Sequence, residues 1–112
     1  MGRLLIVEDE SAIRDALTEL LGTDGREIVT ASDGQEALER LTEAPRPCLI
    51  LLDLMMPRMN GWEFLQRKST DPLIAEIPTI VLSGSGRPAG AVHQLAKPVD
   101  VERLMALIDQ YC

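Results

Sequence analysis

Short apolar runs alternate along the chain with segments whose apolar residues recur every three or four positions. Leu4–Val7 and Cys48–Leu52 are continuous apolar runs, and each is followed by an acidic residue. Such runs are typical of strands buried on both faces of a parallel sheet. Weaker strands are predicted at 27–31, 79–82 and 91–96.

Helical periodicity fills the intervals between most of these strands. The predicted N-caps are Ser11 for the first helix, Ser32 or Asp33 for the second (paired with Gln35 or Glu36) and Asp100 for the last. Gly22 is expected to end the first helix, and a further helix is predicted over 61–68. This alternation predicts right-handed crossover units and one parallel sheet with helices on both faces, which is an α/β fold.

The interval between the fourth and fifth strands differs from the others. Only 13 residues separate Ser83 from Lys97, and the part before the fifth strand contains Gly84, Gly86, Pro88 and Gly90. Glycine costs about 1 kcal/mol and proline about 3 kcal/mol inside a helix. We therefore expect the crossover helix at this point to be missing or reduced to a single turn.

The length of the chain and its net charge limit the classes of function that the protein can have. The 112 residues fit one domain, and we expect residues 1–112 to form it with no second domain attached. A net charge of −7 argues against direct nucleic-acid binding, since phosphate recognition needs Lys and Arg. No apolar run is long enough to cross a membrane. The two cysteines do not suggest a disulfide framework, so a reducing, cytoplasmic location is expected.

Polar side chains stand at the predicted carboxyl ends of four strands. They are Glu8 and Asp9 after the first strand, Asp53 after the third, Ser83 after the fourth and Lys97 after the fifth. Ligand sites of open parallel sheets lie at this edge. Three neighbouring carboxylates repel one another, and a bound divalent cation relieves that repulsion. Oxygen ligands favour Mg²⁺, and the Asp53 carboxylate could act as a nucleophile that forms an aspartyl-phosphate.

These residues, in this order, resemble the receiver domain of two-component response regulators. The resemblance covers almost the whole chain and includes Glu8-Asp9, Asp53 with Gly61 eight residues later, Thr79–Ser83 and Lys97-Pro98. It implies a flavodoxin-like, doubly wound five-stranded sheet of order 2-1-3-4-5. It also implies a cis peptide bond before Pro98.

The resemblance further implies a role for each site residue. Asp53 would accept a phosphoryl group from a histidine kinase or a histidine phosphotransfer protein, and the chain would signal through a downstream protein partner. The implied Mg²⁺ ligands are Glu8, Asp9, Asp53 and the backbone carbonyl of Met55. Ser83 and Lys97 would contact the phosphoryl group.

Two departures from the family concern the surface that reports phosphorylation. Gln94 occupies the position, three residues before Lys97, where the family usually has an aromatic switch residue. The missing crossover helix belongs to the same surface. Phosphoryl acceptance is therefore expected to be intact, and a role as a phosphoryl shuttle or sink becomes a hypothesis.

Two alternatives remain. The chain could be a degenerate receiver that serves as a docking domain without phosphorylation, although the acidic triad and Lys97 argue against this. It could also be a small Mg²⁺-dependent phosphohydrolase with an Asp nucleophile. Such enzymes place a second Asp, the general acid, at the position that Met55 occupies here, and methionine cannot transfer a proton.

Overall fold

A five-stranded parallel sheet with helices on both faces forms the protein. The computed structural model describes residues 2–22, 25–43, 45–84 and 88–112. The elements, in chain order, are β1 (Arg3–Val7), α1 (Ser11–Leu21), β2 (Glu27–Ala31), α2 (Gly34–Leu41), β3 (Leu49–Asp53), α3 (Gly61–Ser69), β4 (Thr79–Leu82), β5 (His93–Leu95) and α4 (Val101–Tyr111). The strand order β2-β1-β3-β4-β5 confirms the predicted topology.

Two hydrophobic cores cover the two faces of the sheet. Alternate residues of β1 enter different cores: Leu5 and Val7 pack with Phe64 on the side of α2 and α3, whereas Leu4 and Ile6 pack against the opposite helices. All five residues of β3 are buried, as the continuous apolar run predicted. The central position of β3 therefore places its last residue, Asp53, in the middle of the carboxyl-end edge.

The helix starts follow the predicted caps, with one exception. Asp33 caps α2 by accepting a hydrogen bond from the backbone N–H of Glu36, and Asp100 caps α4 in the same way. The expectation that Ser11 caps α1 is wrong, because Ser11 is already the first helical residue and Glu10 is the N-cap. The N–H of Glu10 donates to the carboxylate of Glu8, which connects the start of α1 to the end of β1.

The short segment before β5 matches the expected loss of a crossover helix. Gly84 and residues 88–92 form bends and turns, while residues 85–87 of the predicted loop lie outside the described residues. β5 itself has three residues, so the predicted span 91–96 was too long. The strand begins only at His93 because the N–H of Ala91 donates to the carbonyl of Pro88 in a turn.

The two cysteines are paired, contrary to the expectation from their number. A disulfide joins Cys48, just before β3, to Cys112, just after α4, with the two Cα atoms 5.6 Å apart. The pairing arises because α4 runs back across the sheet and returns its end to the edge where β3 begins.

Within the described residues, no helix is both long and apolar enough to span a membrane.

Candidate functional site

Three carboxylates meet where β1 and β3 end. These neighbouring strands are in register, with Val7 opposite Leu52, so the residues that follow them emerge side by side. One carboxylate oxygen from each of Glu8, Asp9 and Asp53 lies within 4.8 Å of the others. Glu8 and Asp53 are buried and Asp9 is half-buried. The sheet topology thus concentrates three negative charges in one partly desolvated recess.

Lys97 supplies the opposing charge. Its Nζ lies 3.6 Å from Oε1 of Glu8 and 3.6 Å from Oδ1 of Asp53. The Lys97 side chain remains 40% exposed, so its ammonium group can also reach a ligand that arrives from solvent. The peptide bond between Lys97 and Pro98 is cis, as expected.

The surroundings of the Glu8 carboxyl group shift its pKa upwards. Burial raises its pKa to about 7, the Asp53 charge adds to this effect, and the Glu10 N–H and the Lys97 ammonium oppose it. Its Oε1 is buried and accepts no hydrogen bond from the described part of the chain. A buried oxygen without a donor is unfavourable and is suited to a cationic ligand.

Asp53 is connected to the loop that follows it. Its Oδ1 accepts a hydrogen bond of 3.3 Å from the backbone N–H of Met55, which places Met55 at the rim of the recess. The loop closes where the N–H of Gly61 donates to the carbonyl of Leu54. Most of the Met55 side chain is exposed, so its backbone is the part of this residue directed towards the carboxylates.

Ser83 completes the edge on the other side of Asp53. It follows Leu82, the partner of Asp53 in the β3–β4 register, and it is buried. Its N–H donates to the carbonyl of Leu95 over 2.9 Å. The side-chain amide of Gln94 donates to the carbonyl of Ser83. Gln94, at the position where receiver domains usually have an aromatic residue, thus makes a polar contact with the Ser83 backbone.

The comparisons with known proteins agree with this geometry. The model of the response regulator receiver domain family matches residues 4–109, which is nearly the whole chain. The chain belongs to this family. Its receiver fold is also found in the chemotaxis response regulator CheY4 of Vibrio cholerae, with a TM-score of 0.87, 30% identity and coverage of 100% of this chain and 99% of that one. A receiver protein from Pseudomonas putida gives a TM-score of 0.88 at 28% identity, covering 97% and 96%.

Curated relatives of this receiver domain are longer proteins. Response regulator MprA of Mycolicibacterium vanbaalenii is 37% identical over 93% of this chain and 47% of its own length. The DNA-binding dual master transcriptional regulator RpaA of Synechocystis is 34% identical, over 96% and 48%. The chain therefore spans about half the length of these relatives. A protein-glutamate methylesterase/protein-glutamine glutaminase of Anaeromyxobacter dehalogenans is 41% identical over 83% of this chain but only 26% of its own.

The residues of this receiver fit the Mg²⁺ that the family binds through acidic side chains. The cluster offers carboxylate oxygens, the donors that Mg²⁺ prefers, and one of them, Oε1 of Glu8, is buried without a hydrogen-bond donor among the described residues. Mg²⁺ usually keeps several of its waters, which leaves coordination positions for phosphoryl oxygens.

The structure brings together the predicted carboxylates and Lys97. Met55 bonds to Asp53, Ser83 follows the neighbouring strand end, and Gln94 contacts the backbone of Ser83. The sequence interpretation missed one contact next to the site. Arg58, in the loop after Asp53, is paired with Asp33 at the start of α2. These residues are 25 positions apart, and Asp33 was considered only as a helix cap. No local pattern indicates such a pair, because it depends on how the loop folds over α2.

Proposed function

We propose that this receiver domain accepts a phosphoryl group on Asp53 from a histidine kinase or a histidine phosphotransfer protein. The groups proposed to hold Mg²⁺ during transfer are the carboxylates of Glu8, Asp9 and Asp53 and the backbone carbonyl of Met55. The observation that carries the proposal is the convergence of three carboxylates and one ammonium group on a recess open to solvent.

The proposed reaction is an in-line displacement at phosphorus. An oxygen of Asp53 attacks the phosphorus atom of a phosphohistidine, a P–O bond forms, and the P–N bond to the donor breaks. The donor imidazole keeps the electron pair of that bond and takes a proton from water. A bound Mg²⁺ supplies positive charge to the phosphoryl oxygens during this transfer.

The chain's own residues orient the reactants. The N–H of Met55 holds one oxygen of Asp53, which leaves the other oxygen to attack. The ammonium group of Lys97 lies 3.6 Å from Oδ1 of Asp53 and can leave this ion pair to contact a phosphoryl oxygen. The Ser83 hydroxyl, carried by the neighbouring strand end, would donate to another phosphoryl oxygen. Positive charge and donors arranged before the reaction lower the energy of its transition state.

The signalling role follows from the same proposal. We propose a cytoplasmic domain on the ground of its family alone, since the Cys48–Cys112 disulfide removes the support that the cysteines gave to a reducing location. It would contact its phosphodonor and a downstream protein partner and catalyse no turnover of its own. Its net charge of −7 supports no direct contact with nucleic acid. No crossover helix lies among the described residues between β4 and β5, and Gln94 stands where the family usually has an aromatic residue, so a shuttle or sink role is the favoured form. Extensive reshaping of residues 84–96 on phosphorylation, observed by NMR, would count against that form.

The test is incubation with acetyl phosphate and Mg²⁺, followed by intact-mass spectrometry. The wild-type protein should gain one phosphoryl group, and Asp53→Asn should gain none. Asp71→Asn is a matched control, because Asp71 lies after α3 and its carboxylate accepts a hydrogen bond from the Leu73 N–H, outside the recess. No gain in the wild type, together with no Mg²⁺ binding, would favour the docking-domain alternative. Steady hydrolysis of a generic phosphate ester would favour the phosphohydrolase.

A further inference from the structure

The loop between β3 and α3 is fastened to the start of α2 outside the acidic recess. Nε of Arg58 donates to Oδ2 of Asp33 over 2.7 Å, and Nη2 of Arg58 donates to the same oxygen. The Asp33 side chain is 1% exposed, whereas that of Arg58 is 71% exposed. A solvent-facing arginine of the loop therefore contacts a carboxylate that is buried beneath it.

The other oxygen of Asp33 is bound to the start of α2. Its Oδ1 accepts the Glu36 N–H over 2.9 Å, which is the cap of α2. Burial alone would raise the pKa of Asp33, but the Glu36 N–H and the Arg58 guanidinium outweigh it and hold the pKa below its ordinary value. The carboxylate is thus kept charged, with one oxygen fixed to the helix and the other to the loop.

A close backbone contact reinforces this connection. The N–H of Gly34, the residue after Asp33, donates to the carbonyl of Met59 over 3.0 Å. A Cβ atom at Gly34 would lie only 2.8 Å from that carbonyl oxygen, so the loop and the helix start are in direct contact. The loop is therefore fixed on both sides of Pro57. Met55 is hydrogen-bonded to Asp53, and Met59 is hydrogen-bonded to Gly34.

The backbone conformation of Arg58 indicates that its contact with Asp33 constrains the loop. Its φ is +62°, in the left-handed region that residues with a side chain rarely adopt. Such a conformation persists when the surroundings hold it in place, and it is concentrated at functional sites. Glycine would adopt this φ more readily, but glycine has no guanidinium group to reach Asp33.

We propose that Arg58 is a positioning residue for the metal-binding recess. Through Asp33 it fixes the β3–α3 loop, and the loop in turn holds Met55 against Asp53. Among the described residues, the guanidinium group of Arg58 pairs with Asp33 and not with the acidic cluster, so Arg58 would act through the loop. The inference rests on the proposed function, since it assigns the Met55 carbonyl to Mg²⁺. Partners that orient metal ligands from outside the coordination sphere commonly change metal affinity by about 10- to 100-fold when removed.

Three variants separate the guanidinium group from the backbone conformation. Arg58→Gln removes the charge, Arg58→Gly removes the side chain but relieves the left-handed backbone, and Asp33→Asn removes the partner's charge while keeping an oxygen for the cap. Arg3→Gln is the matched control, because Arg3 pairs with Glu27 over 2.6 Å at the opposite edge of the sheet. Each protein is titrated with Mg²⁺ by calorimetry and unfolded in urea, and the heteronuclear NOE of the Met55 amide is measured without metal.

The expected result is a Mg²⁺ dissociation constant about tenfold higher for Arg58→Gln and Arg58→Gly, with an unchanged value for Arg3→Gln. Arg58→Lys should recover part of the loss, and combining Arg58→Gln with Asp33→Asn should weaken binding no further than either change alone. The Met55 NOE should fall in the same variants. A lower urea midpoint with unchanged Mg²⁺ affinity and unchanged NOE would overturn the proposal, and so would wild-type affinity in Arg58→Gly.

The Met55 measurement keeps this inference separate from the proposed function. If the wild type binds no Mg²⁺, the metal assignment fails whatever Arg58 does. A lower Met55 NOE in Arg58→Gln would still support positioning of the loop by Arg58, and an unchanged NOE would overturn it.

Discussion

Gly61 gives the sharpest test of how the fold positions Asp53. It is the first residue of α3 and packs against the end of β3. A methyl group at this position would lie 2.7 Å from Cα of Leu54 and 2.9 Å from the carbonyl oxygen of Asp53. Carbon atoms in van der Waals contact are about 3.5–4.0 Å apart. Because both of these atoms belong to the backbone, the substitution Gly61→Ala has to move the chain at the phosphoacceptor itself.

The expected destabilisation of Gly61→Ala follows from this overlap. Inserting a methyl group into a packed site costs about 1–3 kcal/mol, although alanine is intrinsically better than glycine in a helix by up to about 1 kcal/mol. For a domain of 112 residues, 1 kcal/mol corresponds to about 4 °C in melting temperature. Taking the middle of the range for the inserted methyl group, about 2 kcal/mol, and subtracting a helix gain of up to about 1 kcal/mol leaves a net loss of about 1–2 kcal/mol, or roughly 4–8 °C. Slower phosphorylation by acetyl phosphate is expected as well.

Thermal unfolding followed by circular dichroism, and the phosphorylation rate from intact-mass time courses, provide the assay. Gly84→Ala is the matched control, because a methyl group there meets no described atom within 4 Å. It should melt within about 2 °C of the wild type. A melting temperature of Gly61→Ala equal to or above that of the wild type, with an unchanged rate, would refute the reasoning.

Three further predictions concern the core, the disulfide and acid stability. Phe64 is fully buried, so Phe64→Ala should lower the urea-derived free energy of unfolding by about 3–5 kcal/mol. The Cys48–Cys112 bond closes a loop of 64 residues, so Cys112→Ser should lose about 4 kcal/mol relative to the oxidised wild type, and a reductant should remove the difference. Because the folded pKa of Asp33 lies below 3.8, its stabilisation is present above that pH and is lost as the pH falls through the folded pKa. Asp33→Asn should accordingly give a shallower loss of stability in acid, measured by urea unfolding between pH 5 and 2.

Each of these predictions has a contradicting outcome. A loss below about 1 kcal/mol for Phe64→Ala would mean that the core refills the cavity. Equal stability of oxidised wild type and Cys112→Ser would show that the bond does not form or does not constrain the unfolded chain. If Asp33→Asn loses stability in acid as steeply as the wild type, the charged form of Asp33 is not stabilised by Glu36 and Arg58.

Local patterns predicted most of the fold because they report burial and backbone preference directly. The unbroken run before Asp53 identified the central strand, all of whose residues are buried. Glycine and proline after Ser83 indicated that no full crossover helix would form. The candidate site followed from topology, since parallel strands bring Glu8, Asp53 and Lys97 to one edge although they are far apart in the chain.

Features that depend on distant parts of the chain were not predictable in the same way. The Cys48–Cys112 bond joins residues 64 positions apart, and composition alone pointed away from it. The Arg58–Asp33 pair requires a loop conformation with a positive φ at arginine, which residue preferences do not predict. The start of α1 was misplaced by one residue: Glu10 is the N-cap although its side chain makes no capping hydrogen bond, so the sequence carries no capping signal at this position.

The identity of the phosphorylated atom can be read directly by chemical trapping. After incubation with acetyl phosphate and Mg²⁺, borohydride reduces an aspartyl-phosphate to homoserine, and peptide mass spectrometry then locates the converted residue. We predict homoserine at position 53 alone, and none in a sample that was never exposed to the phosphodonor. Conversion at another residue, or no conversion in a folded protein that binds Mg²⁺, would contradict the assignment of Asp53 as the phosphoacceptor.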